Sequence, residues 1–181
     1  MRNREELIDL IERYAKRVGI DRELPAEADG RIWAGRYAQI ALCIVKECSI
    51  GAIVDAKESW QQKLDESLVR QEQANLTVID GYLVLALPDP PDDGLRTQIR
   101  QVEMDTFICR KHLVWPEKGD TPEEMWRRLF KVTVLGLPPS PPLSGGPNMP
   151  ALSGSQRSIL NLIREMGPAR AAASMLSEGS Q

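Results

Sequence analysis

Four residues of this chain have the types a metal-dependent nuclease uses: Asp80, Glu103, Asp105 and Lys111. Such a site needs carboxylates converging on Mg²⁺ with a lysine beside them. Glu103 and Asp105 lie two positions apart on an expected helix, so they point about 200° away from each other and do not chelate jointly. Solvated helix charge explains them better. Arg110-Lys111-His112 lies between apolar residues, and strand alternation puts Arg110 and His112 on one face with Cys109, Lys111 and Leu113 on the other. An edge strand defended by charge and a polar contact to a partner or to phosphate are equal readings of that run. Arg127, Arg128 and Lys131 would extend a basic patch, although solvated charge is the default. Cys43, Cys48 and Cys109 form an odd set without CxxC and read as buried free thiols in a reducing compartment. The single histidine, His112, removes most zinc sites and most Ser-His-Asp chemistry. There is no GxxxxGK[ST], GxGxxG or GxSxG. The expectation is a chain that is not an enzyme, with no catalytic, metal or cofactor-binding residues of its own.

The composition agrees with that restraint. Of 181 residues, 42% are hydrophobic and 27% charged, an ordinary balance for a globular domain with something added. Lys and Arg number 23 against 26 Asp and Glu, a net charge of −3, which does not suit a protein that coats nucleic acid. No apolar run approaches the ~18–20 residues that span a bilayer. The start, MRNREELIDLIERYAKRV, lacks the apolar centre of a signal peptide, so a cytoplasmic location is expected.

The elements that must position these residues follow from periodicity. Leu7, Ile8, Leu10, Ile11, Tyr14, Ala15 and Val18 mark one face of an amphipathic helix over 4–18, closed by Gly19. Residues 20–35, with Pro25, Gly30 and Gly35, read as a loop holding one buried tryptophan, Trp33. Residues 37–47 suit a buried strand or a buried helix; the density of Ile40, Leu42, Ile44 and Val45 favours strand. Ala56, Trp60, Leu64 and Leu68 make 53–74 a long amphipathic helix. Residues 76–87 form a strand broken or bent at Asp80-Gly81 and stopped by the prolines after it. A helix capped by Asp92 or Asp93 and lined by Ile99 and Val102 comes next, then a strand in 107–115. One helix follows from the cap at Asp120-Thr121-Pro122. Trp60, Trp115 and Trp126 are expected in the core. The predicted fold class is α/β or α+β: a small mixed sheet with flanking helices and a β-α-β-α-β-α core. The organisation is an N-terminal helix over 1–19, a core domain over 20–136, a linker over 137–155 and a C-terminal segment over 156–181.

The composition changes after Gly136. LPPSPPLSGGPNMP holds six of the thirteen prolines and no charge, the signature of an extended linker. Beyond it Ile159, Leu160, Leu162, Ile163 and Met166 fall on one side of a short helical pattern, with Arg157, Arg164 and Glu165 polar. So short an apolar helix is unstable alone, and its i, i+3, i+4, i+7 anchors suit docking into a groove.

Residues 80–115, DGYLVLALPDPPDDGLRTQIRQVEMDTFICRKHLVW, resemble the small middle component of bacterial ABC-three-component, Lamassu-type antiviral defence systems. The shared pattern is a strand, an acidic turn, a helix carrying Glu103 and Asp105, then Phe107 and Cys109-Arg110-Lys111 opening a strand. The resemblance covers about a fifth of the chain and leaves the proline linker and tail unmatched. It implies a non-catalytic accessory subunit joining a large SMC/Rad50-like ATPase to an effector, often a nuclease, with DNA met indirectly through the complex. It implies no catalytic residues. Glu103, Asp105, Phe107, Arg110 and Lys111 would be structural or touch a partner, a carboxylate pairing with Arg110 or Lys111 to fix the helix–strand corner. The rival readings are a free-standing regulator that binds DNA or a ligand and, less favoured, a metal-dependent nuclease using Asp80, Glu103 and Lys111.

Overall fold

A computed structural model describes residues 2–22, 27–75 and 77–138. The linker and the proposed docking residues Ile159, Leu160, Leu162, Ile163 and Met166 lie outside the described residues. Helix α1 (Arg2–Arg17) is followed by strands β1 (Ile20–Arg22), β2 (Gly30–Gly35) and β3 (Ala38–Ile44), helix α2 (Ile50–Asn75) and strand β4 (Asp80–Ala86). Helix α3 (Arg96–Met104), strand β5 (Arg110–Val114), short helices α4 (Pro122–Met125) and α5 (Arg127–Val132), and a 3₁₀ turn (Val134–Gly136) complete the series.

The five strands form one sheet in the order β1-β2-β3-β4-β5. The first two pairings are antiparallel and the last two parallel, so the sheet is mixed and the protein is α/β with flanking helices. Strands β3 and β4 are buried along nearly their whole length and read as continuous apolar runs, as central parallel strands do. Two crossovers stepping the same way put their helices on one face. Trp60, Leu64 and Leu68 of α2 and Ile99 and Val102 of α3 accordingly pack with Ala41, Leu83 and Leu113. The opposite face carries Leu7, Leu10 and Ile11 of α1 with Trp126, Leu129 and Leu135, against Trp33, Ile40, Leu42 and Val84.

Three readings change. Residues 20–35 are not simply a loop: β1 and β2 pair there, Ile20 opposite Gly35 and Arg22 opposite Trp33. The glycines read as breakers are demanded by close approach, since a Cβ on Gly30 would lie 2.1 Å from the Leu42 carbonyl oxygen and 2.4 Å from the Trp60 ring. Of residues 76–87, the strand takes only Asp80–Ala86, so the break at Asp80-Gly81 is where β4 starts. The helix expected after Thr121 is broken at Trp126 into α4 and α5. Its start keeps the expected chemistry: the Thr121 hydroxyl accepts from the Glu124 N–H at 3.2 Å, and the Glu124 carboxylate accepts from the Thr121 N–H at 3.2 Å.

Candidate functional site

The motif residues gather at the corner where α3 turns into β5. Met104 ends α3, and the Asp105 carboxylate accepts the Phe107 N–H at 3.1 Å, a local turn typical of aspartate. The Cys109 N–H then reaches back to the Phe107 carbonyl at 2.9 Å across Ile108, whose φ is 70°. A β-branched residue in the left-handed region costs on the order of 1–3 kcal/mol and persists only where its surroundings hold it.

Lys111 is what holds it. Its side chain is fully buried, and its Nζ donates to the carbonyls of Asp105 at 2.8 Å, Phe107 at 2.9 Å and Cys109 at 3.4 Å. The same nitrogen lies 3.4 Å from the Asp105 carboxylate, which Lys57 approaches at 3.6 Å. The Phe107 N–H first, and Lys111 and Lys57 after it, hold the Asp105 carboxyl below the usual carboxylate range against a smaller opposing effect of burial. The result is a tight loop that presents Phe107 and Met104 outwards, each 74% exposed, with Val78 and Val69 also exposed nearby in the chain's α2–β4 region.

Glu103 points elsewhere. Its carboxylate accepts the Leu113 N–H at 3.0 Å and the Arg128 guanidinium at 2.7 Å, while Arg128 Nε donates to the Leu113 carbonyl at 2.8 Å. The pair therefore seals both backbone groups of Leu113 on β5, the last strand in the sheet order, and Arg128 also lies over the Trp115 ring at 5.3 Å. This corrects the reading of Arg128 as solvated charge. Arg110 sits on the sheet face opposite Lys111, over the Tyr82 ring and 3.6 Å from an exposed Asp80 carboxylate. Asp80, Glu103 and Lys111 thus have three separate sets of partners.

His112 shares the Arg110 side of β5 and stacks on Tyr82, with ring centroids 6.3 Å apart. Burial lowers its pKa; Glu103 opposes this, and Arg128 and Arg110 add to it. Cys43 and Cys109 are buried and Cys48 is partly so; burial pushes the Cys43 thiol up to about 12. The pairing of Arg128 with Glu103 and the strained Ile108 escaped the sequence reading. Partners separated by 15 to 25 positions leave no periodic trace, and only the CRK spacing hinted at a pinned corner. Known protein families, curated proteins and solved structures show no match to this chain. Among the described residues, no helix is long and apolar enough to cross a membrane.

Proposed function

We propose that this chain is a non-catalytic, cytoplasmic accessory subunit of an SMC/Rad50-like ATPase complex of the ABC-three-component, Lamassu type, joining the ATPase to an effector nuclease. The observation that carries this reading is the corner over Glu103 to Lys111. A fully buried lysine and a left-handed isoleucine there serve to hold Phe107 and Met104 out in solvent. Displaying large apolar side chains on a rigid turn favours a protein contact. The separate engagements of Glu103, with Arg128, and of Asp105, with Lys111, favour structural roles over shared chelation. The segment over 156–181 is proposed as a second docking element for the same complex, from its apolar spacing alone.

The test is co-expression with an SMC/Rad50-like ATPase encoded beside this chain. Stable co-purification is expected, and Phe107→Asp should weaken it without altering the circular dichroism of the purified chain. The isolated protein should neither hydrolyse ATP nor cut plasmid. Metal-dependent cleavage abolished by Glu103→Gln would overturn the proposal, as would co-purification indifferent to both Phe107→Asp and removal of 156–181.

A further inference from the structure

A pocket of about 430 Å³ opens beyond the carboxyl ends of β3 and β4. Crevices at this end of parallel strands are where α/β proteins commonly bind small molecules, and the volume lies in the usual ligand range. Its wall is apolar, made by Leu7, Ala86, Leu87, Pro88, Pro116 and Trp126. Among the described residues its charged lining is Arg4 and Lys46, with no carboxylate. Arg4 reaches it from the first turns of α1, its guanidinium donating to the Ala28 carbonyl, and also lines an adjoining hollow of about 230 Å³ with Glu5, Ile8 and Arg31. Arg31 lies on β2 opposite Leu42, at the same end of the sheet, and its Nε is shielded from solvent with no hydrogen-bond partner. The amino end of α1, sixteen residues long, adds the positive end of its dipole.

Two lining cations, with no carboxylate among the described residues, beside an apolar wall suit a dianion attached to a flat body. A carboxylate would need one such partner; a phosphomonoester has oxygens for two or three. We propose that this pocket binds a small phosphomonoester of nucleoside monophosphate size. Arg4 and Lys46 hold the phosphate, and the ring lies on Pro88, Pro116 and the apolar strand ends. The site is distinct from the corner over Glu103 to Lys111 and stands whether or not the chain joins an ATPase complex.

The experiment is calorimetric titration of the full chain with AMP, GMP, CMP and UMP, with the matching nucleosides and inorganic phosphate in parallel. At least one mononucleotide should bind, with its nucleoside and inorganic phosphate weaker by about tenfold or more. Lys46 is exposed, so Lys46→Glu should leave the unliganded melting temperature unchanged while weakening that mononucleotide by about tenfold or more. Backbone amide shifts induced by the mononucleotide should centre on residues 44–46 and 86–87. Failure of all four to bind at roughly millimolar concentration, or binding indifferent to both Lys46→Glu and Arg4→Gln, would overturn the assignment. So would binding confined to a 5′-phosphorylated oligonucleotide, which would mark a nucleic-acid end site instead.

Discussion

Lys111 and Arg110 are neighbours in sequence with opposite consequences, because β-strand alternation sends one into the interior and the other to solvent. Replacing Lys111 by methionine strands three carbonyls and releases the turn at Ile108. The expected loss is about 2–4 kcal/mol. Arg110→Ala breaks only an exposed contact with Asp80, and about 0–1 kcal/mol is expected. Urea denaturation of the two variants separates these outcomes, and equal losses would contradict the assigned roles. The one histidine provides a second check, since every imidazole signal belongs to His112. Its folded pKa lies below the ordinary 6.5, so the unfolded chain binds the proton more readily. Stability should therefore fall as the pH drops below 6.5 and level off beneath the lowered folded value. His112→Gln should remove that slope, read from denaturant midpoints between neutral and mildly acidic pH. Asp105 acts in a lower window: its stabilisation is complete above 3.8 and is lost as the pH falls through its depressed value.

Elements in this protein are joined where backbones come close. Gly30 lets β2 lie against β3 and under Trp60 of α2 at once, and Gly30→Ala forces the strand pair or the helix to move. Such a clash in a packed interior costs about 1–3 kcal/mol or more, and a shift in thermal midpoint with blue-shifted tryptophan emission lost would report it. At the other edge, Glu103 and Arg128 tie α3 and α5 to β5 through both backbone groups of Leu113. Glu103→Ala leaves that N–H and one terminal nitrogen of Arg128 unpaired, an expected loss of about 1–3 kcal/mol. Hydrogen exchange at the Leu113 amide should quicken selectively, and an unchanged rate would mean the clip holds nothing. The same elements show where local reading succeeds. Helices α1 and α2 and the capped start at Thr121 follow from spacing and cap chemistry within a few residues. The β1–β2 hairpin did not, because Gly30 and Gly35 look like punctuation until the atoms crowding them are known. Nor did the interruption at Trp126, which is drawn into the core with α1.

Among the described residues the fold is one sheet with a core on each face, and strands β3 and β4 contribute to both. Leu10→Ala on the α1 face and Leu64→Ala on the α2 face each empty a fully buried site. Each should cost about 2–5 kcal/mol, and both should move a single transition, with helical dichroism and tryptophan fluorescence coinciding. Trp33 and Trp60 lie in opposite cores, so separated transitions would show that the faces fold independently. By itself the sequence determined the alternation of strand and helix over residues 37–135, the two long amphipathic helices, and the placing of Lys111 on the strand face opposite Arg110. Those features depend on neighbours within a turn or a strand, where period and side-chain chemistry act directly. Only the tertiary structure decided that the leading strands join the sheet, that Arg128 serves Glu103 rather than solvent, and that Ile108 is bent to expose Phe107. It also decided that Arg4 and Lys46 line one pocket beyond the ends of the central strands. Each of these rests on groups brought together by chain closure across many residues, and the free energy of such contacts depends on position in space, which no local pattern encodes.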